Sequence, residues 1–273
     1  MTLSHSALAL DVQGHRGARG HLPENTLAGF EHALALGVST LELDVGVTRD
    51  GVVVIHHDRA LNPDITRGPD GQWIAAPAPL IGELSFAELQ RYDVGRIRPG
   101  SAYARRFPDQ RAVDGARIPR LADILTWPVR FNIETKISPE APRESLPPEP
   151  FARAVIAEVR KADAAARTTI QSFDWRTLKV VEREAPEMAT AYLTGSRNVD
   201  PAQVHAAGGR IWSPDFTTLT LQKVAEAHRL GLKLIPWTVN EPADIARVLG
   251  MRVDGIISDY PDRVLVEIRR RPL

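Results

Sequence analysis

Residues 40–57 read TLELDVGVTRDGVVVIHH, and this stretch sets the β pattern that the rest of the chain repeats. It contains two strand-like runs, and Asp50-Gly51 between them predicts a tight hairpin turn. Glu42 and Asp44 stand two residues apart, so their side chains project from the same face of the first strand. The stretch therefore predicts a strand that carries a pair of carboxylates.

Outward from this hairpin, strand-like and helical runs alternate. Strands are predicted at residues 8–14, 40–47, 130–134, 168–171, 190–193, 210–212, 233–236 and 255–257. Helices are predicted at residues 25–36, 150–166, 175–183, 219–230 and 243–249. Asn25 is the expected N-cap of the first helix, and Gly37 ends it. Eight strands in β-then-α order predict an α/β fold over residues 1–273, a single TIM-type (β/α)8 barrel, with a doubly wound open sheet as the alternative.

The alternation breaks once, at about residues 59–117. This segment is rich in Pro, Gly and Arg, and one short helix is predicted in it, opened by a capping box between Ser85 and Glu88. A structureless loop of this length is uncommon in a compact domain. We therefore expect an inserted, cap-like subdomain after the second strand and its hairpin. Its arginine-rich part, residues 96–106, is expected to face solvent.

Composition excludes several classes of site and partner. Lys plus Arg and Asp plus Glu both total 34, so no net charge favours nucleic acid or a membrane surface. The absence of cysteine excludes disulfides, thiolate metal sites and a cysteine nucleophile. The first ten residues lack the pattern of a secretory signal, and no stretch approaches a membrane span in length. A cytoplasmic protein without a stable membrane anchor is expected, and its oligomeric state is left open.

Chemistry-bearing residues cluster at the ends of the predicted strands, which in a barrel of this kind meet at the active-site rim. They are His15, Arg16, Glu42, Asp44, His57, Glu134, Lys136, Gln171 and Trp237. Three carboxylates suit a hard cation, and an arginine with a lysine suits a phosphate. This composition predicts hydrolysis or transfer at a phosphate ester. His56 points away from its neighbour and is expected to pack in the wall.

Several motifs occur in an order that is similar to one known family. They are His15-Arg16-Gly17, Pro23-Glu24-Asn25-Thr26, Glu42-Leu43-Asp44-Val45, His57-Asp58, Glu134-Thr135-Lys136, Trp237-Thr238-Val239-Asn240 and Ser258-Asp259 followed by Pro261. Together they resemble the signature of the glycerophosphodiester phosphodiesterase family. The resemblance extends over nearly the whole chain.

This resemblance implies a barrel that hydrolyses small glycerophosphodiesters to glycerol 3-phosphate and an alcohol, with one divalent cation, Mg²⁺ or Ca²⁺. Carried over by position, the metal ligands would be Glu42, Asp44 and Glu134. The general acid and base would be His15 and His57, and the phosphate would bind Arg16 and Lys136. Further substrate contacts are expected from Glu24, Gln171 and Trp237, although Glu24 and Gln171 also suit a structural role and Trp237 also suits the barrel core. Asp58 would orient His57 or cap a turn.

Two other functions remain open from the sequence. A lysophospholipase D or a glycerophosphate-polymer hydrolase would share the fold and the motifs, and an apolar wall within residues 59–117 would distinguish it. A non-catalytic barrel that binds a phospho-ligand is disfavoured, because a pure binder needs no acid/base pair of histidines. The family pattern is broken near the insertion, at Asn62 and at Arg120, which leaves the alcohol specificity open.

Overall fold

Parallel strands surround a common core in the computed structural model, which describes residues 10–195 and 198–270. The strands are β1 (Asp11–Gly14), β2 (Thr40–Val47), β3 (Val53–Ile55), β4 (Arg130–Thr135), β5 (Thr168–Ser172), β6 (Ala189–Thr194), β7 (Ile211–Pro214), β8 (Lys233–Leu234) and β9 (Gly255–Ser258). Residues 8 and 9 of the first predicted strand lie outside the described residues. β3 pairs antiparallel with β2, so the predicted hairpin is confirmed.

The strand order confirms the barrel and not the open sheet. The parallel neighbours run β8-β7-β6-β5-β4-β2-β1-β9, so the last strand lies beside the first. Between β8 and β9, the amides of Asp254 and Ile257 donate to the carbonyls of Leu234 and Pro236 at 2.9 and 3.0 Å. These bonds nearly close the ring. As a result, all the parallel strands direct their carboxyl ends to one rim.

The helices follow the strands and cover the barrel. They are α1 (Leu27–Leu36), α2 (Phe86–Leu89), α3 (Ala102–Arg106), α4 (Pro148–Lys161), α5 (Trp175–Glu184), α6 (Pro201–Ala206), α7 (Leu221–Arg229), α8 (Pro242–Gly250) and α9 (Pro261–Arg270). Apolar side chains such as Phe30, Leu43, Phe151 and Ile256 are fully buried between helices and strands. Within the described residues, no helix has the length and apolarity needed to cross a membrane.

The sequence-based boundary of α1 was wrong in one informative place. The N-cap is Thr26 and not Asn25, because the Thr26 hydroxyl accepts the amide of Gly29 at 3.1 Å. Asn25 has a left-handed backbone, φ 54°, and donates its side-chain amide to Asp44 at 3.0 Å. The residue that was predicted to cap a helix therefore supports a carboxylate of the rim.

Other boundaries differ for local reasons. α4 ends at Lys161 and not at residue 166, because Asp163 is left-handed at φ 50°. β8 is shorter than predicted, since Pro236 has no amide hydrogen for the ladder. Helix α6 was missed, although Asp200 and Gln203 form a capping box at its start.

The inserted segment, residues 59–117, builds a small core of its own. With the strand residue Val54 and Ile118 just beyond the segment, this core buries Leu61, Ile81, Leu89 and Val94. The predicted capping box at Ser85 and Glu88 opens α2. One short helix was predicted in the segment, but it contains a second one, α3, whose N-cap is Ser101.

Candidate active site

Three carboxylates meet at the carboxyl ends of β2 and β4. Asp44 and Glu134 are direct neighbours in the parallel ladder, and Glu42 lies one pleat earlier on β2. All three are buried, and one oxygen from each lies within 4.8 Å of the others. Two oxygens that flank one Mg²⁺ or Ca²⁺ ion at about 2.0–2.6 Å are separated by at most about 5 Å. The arrangement therefore matches the spacing that a single hard cation requires.

The buried negative charges of the three carboxylates also suit the binding of a cation. Burial and the charges of Asp44 and Glu134 raise the pKa of Glu42 well above its ordinary value. Burial would likewise raise the pKa of Asp44, but the charges of Arg16 and Lys136 hold it below its usual range. Among the described residues, Asp44 Oδ1 has no hydrogen-bond partner although it is buried. A buried carboxylate oxygen without a partner is costly, and a bound cation would supply that partner.

Arg16 links the end of β1 to these carboxylates. Its backbone amide donates to Glu42 Oε2 at 3.0 Å, and its Nη1 donates to Glu24 Oε1 at 2.8 Å. Its Nε lies 3.2 Å from Asp44 Oδ2. Arg16 itself is left-handed, φ 53°, and is followed by Gly17 at φ 92°. This tight turn directs the guanidinium back into the rim, with Glu24 behind it.

His57 and Lys136 form the opposite side of the cluster. Lys136 Nζ donates to Glu134 Oε1 at 2.7 Å and to His57 Nε2 at 3.0 Å. His57 Nδ1 lies 2.6 Å from Asp58 Oδ1, so the neighbouring aspartate orients the ring. His56 is buried in the wall, as expected, with Nε2 3.3 Å from the carbonyl of Ala60.

His15 is held by residues from the far end of the sequence. Its Nδ1 lies 2.6 Å from Asp259 Oδ1, and Asp259 also accepts from Arg19 Nε and Asn240 Nδ2, both at 2.8 Å. Burial lowers the pKa of His15 to about 4, although Asp259 acts in the opposite direction. The neutral ring then donates Nδ1–H to Asp259 and keeps its lone pair on Nε2, which lies 3.9 Å from Glu42.

The hydrogen bonds of Gln171 tie it to the carboxylate cluster. Its Nε2 donates to Glu42 Oε1 at 2.7 Å, and its Oε1 accepts from Asn132 at 3.0 Å. Asn132 also donates to Gln13, at 2.8 Å. A chain of amide side chains inside the barrel therefore fixes the orientation of Glu42.

A cavity of about 350 Å³ lies over the cluster. Eight of the ten predicted site residues line it, namely His15, Arg16, Glu42, His57, Glu134, Lys136, Gln171 and Trp237. The other two, Glu24 and Asp44, lie behind Arg16. One wall is aromatic, with the Phe173 and Trp237 rings at right angles and 5.3 Å apart.

Two residues that line the same cavity were not predicted from the sequence. Tyr103 and Arg106 of α3 line the cavity, although residues 96–106 were expected to be only a solvated face. The Tyr103 hydroxyl donates to Glu24 and accepts from Arg19 Nη1 at 3.1 Å. No motif marks these residues. Asp259 was visible in a quoted motif, but its pairing with His15 spans 244 positions of sequence.

Comparisons with known proteins agree with this site. The chain matches the model of the glycerophosphoryl diester phosphodiesterase family over residues 15–263. A crystal structure from Silicibacter pomeroyi DSS-3, provisionally named a glycerophosphoryl diester phosphodiesterase, is similar with a TM-score of 0.90 and 39% identity, covering 96% of this chain and 93% of that one. A glycerophosphodiester phosphodiesterase of Caldanaerobacter subterraneus is 28% identical, covering 95% of this chain and 98% of that protein. The Bacillus subtilis protein YqiK is 30% identical, covering 92% and 96%.

Proposed function

Because the chain belongs to the glycerophosphoryl diester phosphodiesterase family, we propose that it hydrolyses glycerophosphodiesters to glycerol 3-phosphate and an alcohol, using one divalent cation and two histidines. One observation carries the proposal. A cluster of three buried carboxylates lies at the barrel rim, and Glu42 and Glu134 of this cluster share one cavity with two aspartate-held histidines. A barrel that only bound a phospho-ligand would need cationic groups but no such pair of proton carriers.

The proposed cation ligands are Glu42, Asp44 and Glu134. A divalent cation supplies Lewis acidity and offsets the negative charge of the diester when it is bound. Oxygen-only ligands favour Mg²⁺ or Ca²⁺ over softer metals. Gln171 and the Arg16 amide hold Glu42 in place for this role.

Arg16 and Lys136 are the proposed phosphate-binding groups. Each has donors left after its bonds to carboxylates. Lys136 uses two of its three ammonium hydrogens, on Glu134 and His57, and Arg16 uses Nη1 on Glu24. Because both groups line the cavity, their remaining N–H groups would orient the phosphate and stabilise the charge that develops on its oxygens.

His15 and His57 are the proposed proton carriers. In each ring Nδ1 is held by a carboxylate, Asp259 or Asp58, so Nε2 is the atom that would exchange protons. At His57 the substrate would take the place of Lys136, whose Nζ lies 3.0 Å from Nε2. One ring takes the proton of the attacking hydroxyl as the new P–O bond forms. The other gives a proton to the leaving alkoxide as the old P–O bond breaks. After these two transfers the first ring is protonated and the second is neutral, so a proton must pass from the first to the second through solvent before the next turnover.

The inserted segment is proposed to cap the cavity and contact the alcohol side of a small substrate. Gln110 Nε2 donates to the Arg19 carbonyl at 2.7 Å, and Arg59 pairs with Glu144 of the β4–α4 loop at 2.7 Å, so the segment is tied to two parts of the rim. A lipid or polymer substrate was the alternative. It is not favoured, because no large hydrophobic side chain of residues 59–117 is exposed.

A turnover assay tests the proposal. Glycerophosphocholine, glycerophosphoethanolamine, lysophosphatidylcholine and an artificial diester would be compared, each with and without a chelator. We expect hydrolysis of the glycerophosphodiesters that stops with chelator, and much slower hydrolysis of the lysolipid. Preference for the lysolipid would favour the lipid-acting alternative, and no turnover of any diester would remove the proposed activity.

A further inference from the structure

Arg106 differs from the other arginine and lysine side chains that line the cavity. Arg16, Arg19 and Lys136 are each paired with buried carboxylates, namely Glu24, Asp259 and Glu134 at 2.7–2.8 Å. The Arg106 side chain forms no hydrogen bond and no ion pair with any residue that the structure describes. Its guanidinium is therefore a positive charge of the cavity that no carboxylate of the described residues offsets.

The position of Arg106 is set by its surroundings and not by a free loop. It ends α3, whose start is capped by the Ser101 hydroxyl, which accepts the Ala104 amide at 3.0 Å. The next residue, Phe107, is buried, and its ring packs on the Arg19 guanidinium at 4.7 Å. The Arg106 guanidinium rests 5.6 Å from the centre of the same ring. The Arg106 guanidinium therefore lies near Arg19. Arg19 donates to Asp259, which in turn contacts His15 Nδ1.

The two walls of the cavity differ in charge. Phe173, Leu193 and Trp237 form an apolar wall without formal charge, whereas α3 presents Tyr103 and Arg106 on another side. A diester has two substituents on its phosphate, and the glycerol substituent is neutral. An ionic contact with Arg106 can therefore distinguish diesters only through the charge of the alcohol.

We infer that Arg106 is a specificity-determining residue, which favours diesters whose alcohol carries an anionic group and disfavours those whose alcohol carries an ammonium group. This inference rests on the proposed glycerophosphodiesterase function. A guanidinium forms strong, often bidentate hydrogen bonds with a carboxylate or a phosphate. The same charge repels a quaternary ammonium. Because Arg106 is exposed, the preference should weaken as ionic strength rises.

The test compares three diesters of glycerol 3-phosphate, with glycerate, glycerol and choline as the alcohols. The enzyme is assayed in its cation-loaded form as wild type, Arg106→Gln, Arg106→Glu and the control Arg105→Gln. Arg105 is the adjacent arginine of α3, does not line the cavity, and donates to the Gly100 carbonyl at 3.0 Å. The preference is measured as the ratio of kcat/KM values between substrates, because a difference in the fraction of active enzyme between preparations cancels in that ratio.

Wild type should prefer glycerate over glycerol and glycerol over choline. Arg106→Gln should lower kcat/KM for the glycerate diester about 10-fold, the scale of a hydrogen bond to a charged group, with a smaller loss for glycerol. Arg106→Glu should reverse the order of glycerate and choline, and Arg105→Gln should keep the wild-type order. Equal changes for all three alcohols in both Arg106 variants would overturn the inference while leaving the proposed function in place. Absence of turnover of all three by wild type would overturn both.

Discussion

The barrel rim and the inserted segment are built in different ways. At the rim, Asp44 and Glu134 are fixed by strand register, and Asn25 and Lys136 donate hydrogen bonds to them. The segment of residues 59–117 rests on a six-residue core and reaches the cavity through exposed or half-buried side chains of α3. Groups that must be placed precisely come from the rigid part. The groups that we propose to select among substrates come from the segment, which has a separate small core.

The largest expected effect is at the carboxylate cluster. Glu42→Gln should lower kcat by roughly 10³-fold or more on every diester, because loss of one charged ligand weakens cation binding and transition-state stabilisation. Titration calorimetry with Mg²⁺ and Ca²⁺ should show weaker binding independently of activity. Glu31→Gln, an exposed acid on α1, is the matched control. Wild-type cation affinity in Glu42→Gln would remove Glu42 from the ligand set.

Loss of either rim histidine should have the next largest effect on kcat. His15→Ala and His57→Ala should each lower kcat by roughly 10²–10⁴-fold, the usual scale for loss of a general acid or base. Folding should survive in both, as circular dichroism would show, because both rings lie at the rim. His56→Ala serves as the neighbouring control and should be much milder. Near-normal kcat in either rim variant would exclude that histidine from proton transfer.

Asp259 should matter less than the ring it holds. Asp259→Asn should lower kcat by roughly 10–10²-fold, the scale observed for partners that orient active groups. The variant removes the charge that accepts His15 Nδ1–H and leaves Arg19 without its carboxylate. The pH–rate profile should shift as well, because the environment of His15 changes. An unchanged kcat and profile would show that Asp259 serves only the fold.

The smallest effect on chemistry should come from the core of the segment. Leu89→Ala and Leu178→Ala both truncate a fully buried leucine, in the segment and on α5 respectively. Each should cost ~2–5 kcal/mol locally. Hydrogen exchange should increase mainly within residues 59–117 for Leu89→Ala, and throughout the barrel for Leu178→Ala. Leu89→Ala should raise KM more than it lowers kcat on a minimal artificial diester. Equal exchange patterns in the two variants would show that segment and barrel unfold together.

The contrast between the barrel and the inserted segment also explains which features could be predicted from the sequence and which could not. The strands of the barrel were found because short apolar runs alternate with amphipathic ones, and Glu42, Asp44 and Glu134 were found because i, i+2 spacing and strand ends fix their direction. The segment has no such period. Its two helices are four and five residues long, so Tyr103 and Arg106 could not be placed in the cavity in advance.

Side-chain contacts between residues far apart in the chain could not be predicted from the sequence either. His15 and Asp259 meet because β1 and β9 are neighbours, a fact that only closure of the barrel provides. Asn25 looked like a helix cap because asparagine is common there. Its left-handed backbone and its bond to Asp44 accompany a tertiary contact, in which the Asn25 backbone amide donates to the Arg16 carbonyl at 3.0 Å.

The account depends most directly on the carboxylate cluster serving glycerophosphodiester hydrolysis. The decisive measurement is phosphorus NMR of glycerophosphoethanolamine incubated with enzyme that has been stripped by chelator and dialysed, before and after addition of Mg²⁺ or Ca²⁺. We predict no reaction in the stripped enzyme and stoichiometric conversion to glycerol 3-phosphate once either cation is restored. Full conversion by the stripped enzyme, or release of a phosphorylated alcohol in place of glycerol 3-phosphate, would contradict the account.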